Sequence, residues 1–132
     1  MSTIITKPKT LISEEIIDEL ELFAAEQGQV IVHGLIKSNT EPFLIRIWPS
    51  TYLFDQNSNH ISELVHFEKI SGFPLWTEVP VNKDFSFTLI FSGLIKSCNI
   101  FDLQEVIPQS NGFFVPSIVR NKVDIYYLDF SR

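Results

Sequence analysis

Three histidines and one cysteine are the residues of this chain that could bind a metal ion or serve as a nucleophile. The histidines are His33, His60 and His66, and their spacing places no two of them on one face of a helix or close to the cysteine. Metal sites need several ligands that converge at short range, so the sequence predicts neither a metal site nor a cofactor. Cys98 has no neighbouring base that would lower its pKa, so a catalytic thiolate is not expected.

Motifs that present a nucleophile or hold a phosphate group are absent from the sequence. The pattern G-x-S-x-G does not occur, and neither does G-x-G-x-x-G or a Walker loop. The whole chain contains 5 glycines, which leaves little material for a glycine-rich loop. The sequence therefore favours a protein that is not an enzyme.

Two glutamates, Glu63 and Glu105, lie on otherwise apolar faces of strand-like segments. Burial of a lone carboxylate is costly, so each needs a partner, a strand edge or a raised pKa, and a small enzyme could use such a group as a general acid or base. The pentapeptide Gly-Leu-Ile-Lys-Ser at 34–38 recurs at 93–97, and the same offset matches Arg46 with Glu105. We hypothesise that Arg46 and Glu105 form a buried ion pair across strands or sheets.

Trp76, Trp48 and Tyr52 are the candidate contact residues. Trp76 lies beside Pro74, and a proline inside a strand is typical of an edge strand. Trp48 ends a predicted strand, where covering the rim of the core is the alternative to contacting a ligand. Exposed aromatic side chains on a β-domain can form a protein hot spot or a platform for stacking a sugar.

The segment that must position these residues is 85–92. Its large apolar side chains alternate with small polar ones, which is the pattern of a strand with one face in the core. The apolar face carries Phe85, Phe87, Leu89 and Phe91, and its burial would contribute about 6–12 kcal/mol of transfer free energy. We predict that this segment is a central strand.

Strand and turn signals continue from Gln29 to the end of the chain. Turn signals about every 8–12 residues predict an all-β, mainly antiparallel domain of about eight or nine strands, either an immunoglobulin-like sandwich or a small barrel. The predicted strands are 29–37, 43–48, 51–54, 73–79, 85–92, 99–107, 113–119 and 123–130. Segment 60–70 is compatible with a strand or a helical turn, and Asn111-Gly112 predicts a hairpin.

The N-terminal part has a different pattern. Residues 1–10 are expected to form a flexible arm, and 14–26 an amphipathic helix with Ser13 as N-cap and Gly28 after its end. A hairpin that turns at Gln27-Gly28 is the alternative for this segment. In both cases we expect one domain, 1–132, with a β-body from 29 to 130.

Charge and composition restrict the partners. Six acidic residues in 14–26 account for the whole net charge of −6, and no basic stripe balances them, which argues against binding nucleic acid or anionic lipid. No apolar run is long enough for membrane insertion, and the start lacks the apolar core of a secretory signal. With the single cysteine, these features favour a cytoplasmic protein.

Three functions remain compatible with the sequence. The favoured one is a non-catalytic β-domain that binds a protein partner, or a second copy of itself, through edge strands or aromatic loop residues. The alternative is a small-ligand or carbohydrate-binding domain with a pocket in a barrel mouth or a platform of Trp76, Trp48 and Tyr52. The third is a small enzyme that uses Glu63 or Glu105 with a histidine.

Overall fold

The computed structural model describes residues 28–131, which form nine strands. These are β1 (Val30–Ile36), β2 (Phe43–Ile45), β3 (Thr51–Asp55), β4 (Ile61–Glu68), β5 (Thr77–Val79), β6 (Phe85–Phe91), β7 (Ile100–Glu105), β8 (Phe114–Val119) and β9 (Ile125–Asp129). Within this range no helix is long and apolar enough to cross a membrane. The predicted arm at 1–10 and the predicted helix or hairpin at 14–26 lie outside the described residues.

Seven of the strands form one curved sheet that nearly closes into a barrel, in the order β8-β7-β3-β4-β6-β1-β9. Its strands pair antiparallel except β1 and β9, which run parallel. The all-β, mainly antiparallel prediction is therefore confirmed, and the single curved sheet corresponds to the small-barrel alternative. β2 and β5 form a separate two-stranded sheet.

β6 is an interior strand of the large sheet, between β4 and β1, as the sequence predicts. Phe87, Leu89 and Phe91 point inward and are fully buried. The ring of Phe87 lies against Gly34 of β1, where an added Cβ would come within 2.5 Å of the ring. Only glycine allows this close approach between the two strands.

Segment 60–70, which the sequence leaves open, forms β4 with a bulge in it. The register of β4 against β6 shifts between Leu64 and His66. After the shift, Phe67 lies opposite the inward-facing Leu89, whereas Glu63, before the shift, is exposed on the outer face. A bulge reverses the alternation of side chains, so Glu63 and Phe67 do not share a face as simple alternation predicts.

The small β2–β5 sheet crosses one end of the barrel. The predicted strand 43–48 is shortened to β2, after which Ile47 bridges to Gly72, and the predicted strand 73–79 is shortened to β5. The loop between Gly72 and Thr77 carries Trp76 and brings it next to the end of β2. Beneath this sheet, Phe130 packs edge-on against Phe87 and Phe113, with both pairs of ring centroids 5.1 Å apart.

Candidate binding cleft

Arg46 lies on a cluster of three aromatic rings where β2 ends. Its guanidinium carbon is 3.8 Å from the centroid of Trp76, 4.6 Å from that of Phe73 and 5.7 Å from that of Trp48. Trp48 and Phe73 contact each other, with centroids 3.9 Å apart. Arg46 Nη1 also donates a hydrogen bond of 3.2 Å to the carbonyl of Pro74. The guanidinium therefore ties β2 to the 72–77 loop through ring stacking and one hydrogen bond.

Arg46, Trp48 and Trp76 border a cleft of about 460 Å³, which we call the aromatic cleft. Its walls are mainly apolar, with a few polar groups, as is usual in ligand pockets. It is lined by Phe43, Leu44, Ile45, Arg46, Trp48, Trp76, Glu105, Ile107, Gln109, Asn111 and Phe113. It therefore lies between β2 and the β7–β8 hairpin, next to Phe113, which stacks on the core residue Phe87.

Large apolar side chains are exposed on the wall of the aromatic cleft and on the 72–77 loop that carries Trp76. Leu75 is 68% exposed, Leu44 55% and Trp76 51%, and Phe73 beside them is also exposed. Such side chains gain free energy when a partner covers them, since each covered Å² of apolar surface contributes about 25 cal/mol.

Glu105 lines the other wall of the cleft. Its side chain is buried, as the alternation of residues along β7 predicts. Its carboxylate accepts the backbone N–H of Trp48 at 3.0 Å and that of Phe113 at 3.1 Å. These bonds join the β2–β3 connection to the β7–β8 loop, which holds that end of the cleft together. Charge-assisted bonds to backbone N–H groups compensate for the burial of a carboxylate, which gives Glu105 a structural role.

Arg46 and Glu105 line the same cleft, but their described contacts are with different groups. The guanidinium lies on the ring cluster, whereas the carboxylate lies at the two backbone N–H groups. The ion pair between them stays a prediction. Trp48 and Trp76, in contrast, are brought together by Arg46 in one site.

Tyr52 lies outside the aromatic cleft. It sits on β3 between the inward-facing Thr51 and Leu53, and its ring packs edge-on against Phe54 at 5.8 Å. It is paired with Glu63 of β4 on the outer face of the barrel. A platform that combines Tyr52 with the two tryptophans is therefore not assembled in the described structure.

The residues with candidate chemistry are dispersed. His33 lies on the outer face, where Nδ1 is 3.0 Å from Thr88 Oγ1 and its ring stacks on Tyr127 at 5.0 Å. Burial lowers the pKa of His33 to about 4 and raises the pKa of the Cys98 thiol to about 11, so neither is suited to proton transfer or nucleophilic attack at neutral pH. Residues 28–131 contain no cluster of metal-binding side chains, and no histidine lines the aromatic cleft.

Sequence reasoning missed Phe73 and the cation–π role of Arg46. The partners of Arg46 come from a loop about 30 residues away along the chain, and no periodicity places them at the end of β2. The chain matches no protein-family model, no curated protein and no solved structure. The geometry of the cleft is therefore the basis for a functional proposal.

Proposed function

We propose that this protein is a non-catalytic β-domain that binds a protein partner through the aromatic cleft. The observation that carries the proposal is the exposed ring cluster held by Arg46, in which Trp76 remains half exposed after stacking on the guanidinium. Tryptophan and arginine are the residue types most enriched in the hot spots of protein interfaces. Here both types lie together in a concave site.

The physical argument is one of preorganisation. Ordering a mobile side chain on binding costs about 0.5–1.5 kcal/mol, and side chains that are already fixed avoid this cost. The stacking of Arg46 on Trp76 and its bond to Pro74 fix the rim, and Glu105 fixes the opposite wall. A partner can then cover Trp76 without first ordering it.

Site-specific crosslinking in cells tests the proposal. A photoreactive benzophenone amino acid at position 75, next to the cleft residue Trp76, reports on a bound partner, and the same amino acid at position 58, in the β3–β4 loop, is the control. We expect a discrete covalent adduct with one protein from position 75, lost when Arg46→Gln is introduced, and none from position 58. Equal adducts from both positions, or none from position 75, would contradict the proposal.

A small ligand is the second candidate, because the volume of the cleft, about 460 Å³, lies within the range of ligand pockets. Arg46, Gln109 and Asn111 would supply polar contacts, and Trp48 and Trp76 would stack on an apolar or sugar face. Titration with cello- and xylo-oligosaccharides, followed by tryptophan fluorescence, tests the carbohydrate version. A saturable change that Trp76→Ala abolishes would support it, and an unchanged spectrum would contradict it.

A further inference from the structure

We infer that the partner enters the aromatic cleft as an extended peptide, adds as a strand to the open edge of β2, and places one carboxylate side chain against Arg46. This inference rests on the proposed function and specifies how the partner is bound. Three features carry it: the edge of β2 on which no described strand pairs, the two clefts that adjoin β2, and the N–H donors of Arg46 that have no acceptor among the described residues.

Among the described residues, β2 has a strand neighbour on one side only. It pairs with β5 through Phe43–Val79, Leu44–Glu78 and Ile45–Thr77, and within the described residues no strand or backbone hydrogen bond occupies its other edge. In an extended strand, successive residues direct their N–H and C=O groups to opposite edges. The free edge therefore offers the backbone donors and acceptors of every second residue to an added strand. Strand addition is a recurrent mode of peptide recognition.

Two clefts adjoin β2. A second cleft of about 450 Å³ lies further along β2, and it shares Phe43, Ile45 and Phe113 with the aromatic cleft. No residue of β5 lines either cleft. A strand added to β2 would run along both clefts, which would receive alternate side chains of an extended peptide.

Arg46 supplies charge complementarity at the end of β2. A guanidinium has about five N–H donors, of which one is bonded to the Pro74 carbonyl, and the described residues offer no carboxylate within 4.0 Å. Stacked on Trp76, the planar group is held in a fixed orientation, which suits a bidentate pair with a carboxylate.

The net charge of the chain favours one acidic residue over an acidic run. The protein carries a formal charge of −6, so a strongly anionic peptide would be repelled over the range of about one Debye length. A single carboxylate among apolar and β-branched residues gains the Arg46 contact with little of this repulsion. The occupant is therefore an alternating, mainly apolar peptide with one Asp or Glu.

Selection from a library of random peptides of about ten residues, displayed on phage and presented to the full-length protein, tests the inference. Enriched peptides are then synthesised and each backbone nitrogen is methylated in turn, and their affinities are measured for the parent protein and for variants Arg46→Gln, Trp76→Ala and Ile61→Ser. Ile61 is exposed on the outer face of β4, so Ile61→Ser is the control for surface substitution.

We expect enriched peptides to share one acidic position whose replacement by Gln or Asn weakens binding about tenfold to the parent and little to Arg46→Gln. Methylation of the peptide backbone should weaken binding only at every second nitrogen, because only alternate N–H groups of the added strand bond to β2. Suppose that Trp76→Ala abolishes binding, but the methylation effects do not alternate or the peptides share no acidic position. This result would overturn strand addition and leave the proposed function standing. If no peptide is enriched, or Trp76→Ala does not weaken binding, strand addition is also overturned, and crosslinking at position 75 decides the proposed function separately.

Discussion

The guanidinium carbon of Arg46 lies 3.8 Å from the centre of the Trp76 ring, although 30 residues separate them in the chain. This contact joins the end of β2 to the loop that follows Gly72, and it places both tryptophans of the chain at one cleft. The proposed binding site therefore depends on a pair of residues that neither strand alternation nor any motif brings together.

The Arg46–Trp76 contact should be measurable as a coupling in stability. In a double-mutant cycle with Arg46→Ala and Trp76→Ala, we expect a coupling free energy of about 0.5–1 kcal/mol, since a partly exposed cation–π contact has this size. Urea unfolding of the four proteins supplies the values. Additive effects of the two substitutions would show that the stacking is not maintained in solution.

Glu105 should matter to stability far more than Glu63. Glu105→Ala leaves the backbone N–H groups of Trp48 and Phe113 without this acceptor, and we expect a loss of about 2–4 kcal/mol in the free energy of unfolding. Glu63 is exposed, so Glu63→Ala is the matched control, with an expected change within about 0.5 kcal/mol. Equal losses for the two variants, measured by denaturant unfolding, would contradict the structural role of Glu105.

His33 should make the free energy of unfolding depend on pH in the range between its pKa in the folded state and its pKa in the unfolded state. Burial lowers its pKa in the folded state to about 4, whereas the unfolded chain binds the proton near the ordinary value of about 6.5. Because the unfolded state then holds more protons, stability falls as pH falls from about 6.5 to 4, by about 1–3 kcal/mol. Tyr127, which stacks on His33, has a raised pKa and stays neutral over this range.

The matched variant for this effect is His33→Gln, which cannot titrate. Chemical unfolding at pH 7 and at pH 5 should show a smaller loss of stability for His33→Gln than for the parent, with the difference due to residue 33. All other titratable groups are the same in the two proteins. Equal losses in the two proteins would mean that His33 is not desolvated.

The contact of Gly34 with Phe87 gives a test of the barrel packing. A methyl group at position 34 would lie within 2.5 Å of the Phe87 ring, so we expect Gly34→Ala to cost about 1–3 kcal/mol. Phe87→Leu in the same chain makes room for the methyl group and should recover part of this loss. Thermal unfolding of the single and double variants tests this expectation. A Gly34→Ala variant that is as stable as the parent would mean that β1 and β6 are further apart.

Local patterning was sufficient to predict the interior strand β6 and most of the other strands that enclose the core, but not β4. The alternation in 85–92 predicts β6 as an interior strand, and the same reasoning predicts the buried position of Glu105 on β7. These features follow from the period of two in a strand, which is encoded by neighbouring residues.

Features that depend on distant contacts could not be predicted in the same way. The bulge in β4, which reverses the side of Phe67, and the parallel pairing of β9 with β1 follow from closure of the sheet. Tyr52 does not form one platform with the two tryptophans, because on β3 it lies on the outer face of the barrel. Arg46 contacts the rings of Trp76 and Phe73 only because the 72–77 loop packs against the end of β2.

Tryptophan fluorescence of the full-length protein tests the central claim, because the aromatic cleft contains both tryptophans of the chain. The measurement is the emission spectrum during titration with a peptide selected for binding to the intact chain. We predict a saturable blue shift with the same midpoint as binding, because the partner shields Trp76 from water, and its loss in Trp76→Phe. Saturable binding with an unchanged emission spectrum would place the binding site elsewhere and contradict the account.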